Sequence, residues 1–356
     1  MGRLCPNHPG QMPRGWSIVH RSLAACAVLV AALLIAAPAP SLGQPIGQGA
    51  GADIIGAVLS EAQIGSPAQV GSLVIYPIVL PPRFSPSLGL VPVFEALKSG
   101  DFRISEMSNG MDQFHLAGFN SGGSNVFGQG GGFYQGGRQG RGGGGGGFLM
   151  APMSRGGFGV FCFEEGRTEG TSSLFSADGY SLAHPTLRGL VCGDDQNAVW
   201  REITRERRVL GVTDPAATSY GHVVKTEGVR AQLKVIDSSS QSLPSHVNGV
   251  VVAIGDRILG IDLYGDKELF GKTRALLLGS YAIANAEVGS DVRCTVGEDG
   301  VWRFLGDVAS CGPEQVRSVD LGDTFRLGFG SHRGEALVWN GQLVHLGVYD
   351  TRPLAR

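Results

Sequence analysis

A chain of 356 residues with 17% charged side chains and a net charge of −2 offers neither the basic field of a nucleic-acid-binding protein nor an acidic tail. Without the leader described below about 310 residues remain, enough to bury a substantial hydrophobic core in one large or two small domains. Glycine reaches 57 residues, and much of the excess sits in one stretch.

The first residues read as targeting. Arg14, His20 and Arg21 give a weakly basic start, residues 22–37 are an apolar run of signal-peptide length, and Ser41-Leu42-Gly43 sets small residues at the cleavage positions. A signal peptide over 1–43 is expected, and with it export to the periplasm or the extracellular space. The run is shorter than the ~20 apolar residues of a spanning helix, so no membrane span is expected after its removal. Leu23-Ala24-Ala25-Cys26 spells a lipobox, but His20 and Arg21 stand where its apolar run should be. Four cysteines stay in the exported chain, Cys162, Cys192, Cys294 and Cys311, and an oxidising compartment permits them to pair. Cys294 and Cys311 are the expected pair, read as flanking two strands and closing a loop of about 17 residues. With no C-x-x-C spacing, no zinc site is expected, and no other metal or cofactor is indicated.

Residues 44–71, rich in Gly, Ala and Gln, read as a flexible leader. Leu73–Tyr76 opens the strand pattern. Val91–Leu97 followed by Ser99-Gly100 predicts a short helix with a glycine stop, and Phe102–Met107 alternates as a strand. Residues 117–147 are low-complexity and end in Gly142–Gly147. Their composition predicts a mobile, disordered insert, with Arg138 and Arg141 as solubilising charges rather than an RNA-binding element. On a strand from Val160, Cys162 and Glu164 share one face while Phe161, Phe163 and Glu165 share the other. Asp194 or Asp195 is placed to cap a helix carrying Val199, Trp200, Ile203 and Leu210 and ending at Gly211. A second helix is expected after Asp214-Pro215. Val247–Ile254 and Arg257–Tyr264 read as a hairpin turning at Gly255-Asp256, Glu268–Ala286 as an amphipathic helix, and Ala336–Trp339 with Leu343–Tyr349 as a hairpin turning at Asn340-Gly341. Strands mixed with a few helices predict an α+β fold, one domain of mixed or antiparallel sheet over 72–350 with a tail at 351–356.

Several of these blocks, in this order, resemble the ARPP-type domain, the ARG-and-rhodanese-phosphatase-superfamily-associated protein domain of bacteria. They are Val91-Pro-Val-Phe-Glu-Ala-Leu-Lys-Ser-Gly100 with Phe102-Arg-Ile-Ser-Glu106, then Gly136-Gly-Arg-Gln-Gly-Arg141, Val160-Phe-Cys-Phe-Glu-Glu-Gly-Arg167, Gln196 with Trp200, Val250–Leu263 with Gly279-Ser-Tyr281, and Ala336-Leu-Val338 with Val344-His-Leu346. The resemblance spans roughly residues 72–350 and implies one domain. It brings no established reaction. Thr168 stands where the family usually has Trp, and Gly131-Gly132-Phe133 where it usually has a Gly-Glu pair, departures that put a loop-borne site in question.

Glu164, Glu165 and Arg167 form the densest charged cluster on an apolar strand, and a buried carboxylate must find a partner. They read either as a polar pocket or as an ion pair at a strand end. His345, within Leu343-Val-His-Leu346, is placed opposite Val344 and Leu346, as a proton carrier, a ligand or a structural histidine. Glu106, Gln139, Arg141 and Asp262 are further polar residues at family-matching positions, and Asp262, between Ile261 and Leu263, is the most strand-embedded. The expectation is that Glu164, Arg167 and His345 line one pocket. No G-x-S-x-G, H-E-x-x-H or P-loop lysine occurs, and the glycine strings lack the following helix of a dinucleotide site. The favoured function is therefore a non-catalytic ligand-binding or sensing module of the bacterial cell envelope, its partner an unidentified small molecule or envelope component and not nucleic acid. The alternative is a hydrolase-like enzyme using Glu164 and His345.

Overall fold

In the computed structural model, which describes residues 48–107, 112–166, 174–241, 243–289 and 292–354, the two expected hairpins lie side by side in a nine-stranded sheet. One runs Gly249–Ile254 and Arg257–Tyr264, the other His332–Trp339 and Gln342–Asp350. Asn340 and Gly341 both hold positive φ, 51° and 71°, as a type I′ turn demands. Leu73–Val79 extends the sheet beyond the first hairpin, and Asp323–Phe329 beyond the second, all antiparallel.

Every residue of Gly249–Ile254 is buried because both faces of the sheet are covered. Val250, Val252 and Ile254 pack with Leu277, Leu278 and Tyr281 of the helix Lys267–Val288. Val251, Ala253, Ile261 and Leu263 pack with Val58 of the helix Gln48–Ser60 and with Val301 and Leu305 of the helix Glu298–Ser310. Each such aliphatic side chain contributes about 1.5–3 kcal/mol by leaving water. The fold is α+β, as expected, and no helix among the described residues is long and apolar enough to cross a membrane.

Four expectations differ. The stretch 44–71 is not loose where it is described: Ile55, Val58 and Leu59 are buried on the helix Gln48–Ser60, at the i, i+3, i+4 spacing of an amphipathic helix hidden among glycines, and Ala62 is buried just beyond its end. The signal peptide over 1–43 lies outside the described residues. The glycine tract is packed rather than mobile: Val126–Gly128, Gly132–Tyr134, Arg141–Gly143 and Phe148–Met150 are strands whose every residue is buried. Backbone approaches backbone there too closely for side chains; a Cβ on Gly130 would lie 1.5 Å from the Gly145 carbonyl oxygen. Phe127, Phe133, Tyr134 and Phe148, all at most 3% exposed, supply the apolar area that offsets the ordering of the glycines.

The third difference concerns helices. Asp195 caps Gln196–Val209 by accepting from the Asn197 and Ala198 amides, as expected. The helix expected after Asp214-Pro215 begins later, as Gly221–Val224 and then Glu227–Ser240, because the Asp214 carboxylate folds back on the Ala216 amide at 2.9 Å and closes a turn instead. The fourth concerns the disulfide. All four described cysteines are free. Cys294 and Cys311 do not flank a strand pair but stand beyond opposite ends of the 13-residue helix Glu298–Ser310, which is about 20 Å long at 1.5 Å per residue. A disulfide tolerates roughly 7 Å between Cα atoms.

Candidate functional site

Asp262 points away from Ile261 and Leu263, into the face covered by the helix Lys267–Val288. Register then decides its neighbours. Gly347 lies opposite it, His345 opposite Tyr264 and Tyr349 opposite Gly260. A register shift near Leu337 leaves Val344 as the extra residue of a bulge, which re-aims His345 toward Asp262 while Leu343 and Leu346 stay on the far face. Gly347 has to be glycine: a Cβ there would sit 2.2 Å from the Tyr349 hydroxyl, the group that leans across it to the carboxylate.

Asp262 is fully buried and saturated. Arg188, from the helix Pro185–Leu190, grips both its oxygens, with Nη1 donating to Oδ2 at 3.0 Å and Nη2 to Oδ1. Tyr349 donates to Oδ1 at 2.7 Å, Tyr281 to Oδ2 at 2.8 Å and Gln129 to Oδ1 at 3.0 Å, while His345 Nε2 lies 3.1 Å from Oδ1. The guanidinium also stacks 4.2 Å over the Tyr349 ring. Burial alone would raise the Asp262 pKa, but Arg188 and His345 outweigh it and hold the carboxyl at about 2. The same burial lowers His345, against the pull of Asp262, leaving a neutral ring whose Nδ1 is buried without a hydrogen-bond partner. A carboxylate with about four lone-pair sites already filled is a poor base or nucleophile; its chemistry is to fix Arg188, Gln129, Tyr281, His345 and Tyr349 in one arrangement.

The remaining expected residues gather elsewhere. Glu106 accepts from the Arg138 amide at 2.8 Å and faces Arg141 Nη2 at 3.5 Å. Arg141 also reaches the Gln113 carbonyl at 2.9 Å and the Cys162 sulfur at 2.7 Å. Glu164 accepts from the Gly140 amide at 3.0 Å, and Gln139 is buried in the same turn. Burial raises the Cys162 thiol pKa, opposed by Arg141. The turn 138–141 is thus clamped between Glu106 and Glu164. Glu165 is exposed, and Arg167 lies outside the described residues. The expected joining of Glu164 to His345 does not occur, because Glu164 follows the strand Ser154–Cys162 of the six-stranded sheet while His345 belongs to the nine-stranded one. Gln196 explains its family-matching place differently: its amide bonds both the N–H and the C=O of Cys162, at 2.8 and 2.9 Å, completing the end of that strand.

Between these clusters opens a cleft of about 910 Å³, walled by Gly143–Gly147, with Gln129, Tyr134, Arg326 and Glu335 among its lining. Gly145 donates to the Val191 carbonyl at 3.0 Å and Gly146 to Glu335, so the tract is held in place by its own amides. Glu335, 6% exposed, lies 3.6 Å from Arg326 Nε. Its burial pushes its pKa up to about 7, against the lowering effects of the Gly146 amide and Arg326. A carboxyl of that affinity stands at the wall of the cleft. The hydroxyls of Ser318 and Thr324, also lining the cleft, bond to each other at 3.2 Å.

The chain is an α+β domain whose antiparallel sheet, covered on both faces, carries a saturated buried carboxylate, and whose glycine tract walls a cleft. The family model of the ARG and Rhodanese-Phosphatase-superfamily-associated Protein domain matches residues 61–349, and the chain belongs to that family. Comparison with curated proteins and with solved structures gave no match.

Reading the sequence missed Gln129, Arg188, Tyr281, Tyr349 and Glu335. Two signals were there to find. His345, Gly347 and Tyr349 alternate on one strand face, with a glycine at the centre that only a close approach explains. Glu335 directly precedes the apolar run Ala336-Leu-Val338. Arg188 and Gln129 sit on a short helix and in the glycine tract, where no periodicity marks them.

Proposed function

We propose that this chain is a non-catalytic ligand-binding or sensing module of the bacterial cell envelope, exported by its N-terminal segment, and that a small polar molecule bearing an amine or hydroxyl donor enters the glycine-walled cleft and pairs with Glu335. The observation that carries the reading is Glu335 itself, a carboxyl buried at a cavity wall with a proton affinity tuned to about 7 and a guanidinium beside it. A donor or cation from a ligand would stabilise its charged form. Binding rather than reaction is favoured because Asp262 is saturated and the cleft hydroxyls of Ser318 and Thr324 are committed to each other. A hydrolase-like function through Glu164 and His345 has less support, its two groups belonging to separate networks.

The test is a thermal-shift screen of the exported form against sugars, nucleotides and amines, run on wild type and Glu335→Gln in parallel. A ligand that binds the folded state raises Tm. A true ligand shifts the wild type and loses its effect in the variant; hits that shift both alike exclude Glu335 from the site. Intact-mass analysis of protein from the envelope fraction tests export, which fails if residues 1–40 remain attached.

A further inference from the structure

The helix Gln196–Val209 carries Glu202 and Glu206 four residues apart, so both lie on one face. That face is turned inward: Glu202 is 4% exposed and Glu206 0%. His184, the N-cap of the helix Pro185–Leu190, and Glu287, near the end of Lys267–Val288, meet it from two other elements. His184 Nδ1 lies 3.5 Å from Glu206 Oε1, and His184 Nε2 lies 4.0 Å from Glu287 Oε2. Donor atoms of His184, Glu202 and Glu206 all fall within 4.8 Å of one another.

Arg205 bonds Glu202 at 2.7 and 2.9 Å and Glu287 at 2.8 and 2.9 Å. Arg205 thus serves Glu202 and Glu287, while the Glu206 carboxyl has no such bond, in a place where an uncompensated polar group is expensive. Both Glu206 oxygens and His184 Nε2 are shielded from solvent with no hydrogen-bond partner. Most buried polar groups are bonded, and a fully buried carboxyl with neither oxygen bonded, grouped with an imidazole and a second carboxylate, calls for an occupant.

We propose that His184, Glu202 and Glu206, supported by Glu287, bind one divalent first-row transition cation, zinc or manganese. One imidazole with carboxylates suits these ions better than the all-oxygen shells of calcium or magnesium. Arg205 also lines a surface pocket of about 440 Å³. His184 precedes Arg188 by one helical turn, so an ion here would pin the helix that delivers Arg188 to Asp262.

The full chain, stripped with chelator and dialysed, is offered zinc or manganese, and bound metal is counted by mass spectrometry alongside Tm. One equivalent of either ion per chain with a raised Tm is expected. Glu206→Gln, which breaks none of the bonds described, should fold as the metal-free wild type and bind at least about tenfold more weakly, a loss on the scale of removing one ligand-shell group. His184→Asn keeps an N-cap acceptor for the Thr186 amide but removes the imidazole, and should lose binding likewise; should one variant misfold, the other decides. Wild-type protein that is folded by circular dichroism yet takes up neither ion overturns the proposal. So does undiminished uptake by either folded variant, which would place the metal elsewhere.

Discussion

Asp262 and Glu335 are both buried carboxyls, 0% and 6% exposed, yet one is held at about 2 and the other pushed to about 7. The dielectric surroundings do not separate them. Partners do. Asp262 is gripped by a guanidinium on both oxygens, with two tyrosine hydroxyls, an amide and a histidine added. Glu335 has the Gly146 amide and an Arg326 nitrogen at 3.6 Å, a guanidinium that Asp194 shares at 3.7 Å. Where bonds are complete, the carboxylate is architecture; where they are incomplete and a cavity adjoins, it remains available to a ligand.

The comparison predicts opposite outcomes for the same chemical change. Asp262→Asn leaves Arg188 buried without its counter-charge and should cost about 3–5 kcal/mol in urea unfolding. A cost under about 1 kcal/mol would show that the network is not saturated in the way described. Glu335→Gln should instead stabilise the protein at pH 8. Its folded pKa of about 7 lies above the ordinary 4.5, so the folded state binds the extra proton between those values and wild-type stability falls as pH rises through them. The upper limit is about 3 kcal/mol, from about 2.5 units at 1.36 kcal/mol each. Asp262 has the reverse slope: with a folded pKa of about 2 against an ordinary 3.8, its stabilisation is full above pH 4 and fades as pH falls toward 2. Each variant should erase its own slope and leave the other. A Glu335→Gln profile still falling between pH 4.5 and 7 would assign that titration to another group.

A smaller effect tests the geometry. Gly347→Ala drives a methyl into the Tyr349 hydroxyl and should cost about 1–3 kcal/mol, the usual range for overpacking. Tyr349→Phe removes the colliding oxygen, so the double variant should be more stable than the two single losses added together. Strict additivity would mean that Gly347 is glycine for another reason.

Much of the frame could be read from the chain. Turn residues at Asn340-Gly341 and alternation in Val250–Leu263 fix hairpins through local chemistry. Asp262 was visible as a charge between two aliphatics and His345 as a polar residue in an apolar strand, but His345 was expected beside Glu164 and Arg167, not beside Asp262. What escaped was non-local. Arg188 comes from a six-residue helix, too short to show a period. The glycine tract looked mobile because composition counts the entropy that glycine loses and not the close backbone approach it permits. Glu202 and Glu206, at i and i+4, carried a legible signal, but His184 and Glu287 join them only through folding.

The smallest expected effect concerns the cysteines. A bond between Cys294 and Cys311 would close a loop of about 17 residues and add roughly 3 kcal/mol by the chain-entropy model. The structure gives them no such role: they stand beyond opposite ends of a helix and are free, Cys294 and Cys311 each half-buried against the apolar cluster that holds Val301 and Leu305. Reductant should therefore leave the unfolding midpoint unchanged, and Cys294→Ser with Cys311→Ser should each stay within about 1 kcal/mol of wild type, the range of ordinary partly buried substitutions. Thiol titration of unfolded protein prepared without reductant should count both as free. A midpoint that falls by the full 3 kcal/mol on reduction, with a cross-linked peptide joining the two, would mean that the helix Glu298–Ser310 is not formed in solution as described, since no intact helix of that length brings its ends within disulfide reach.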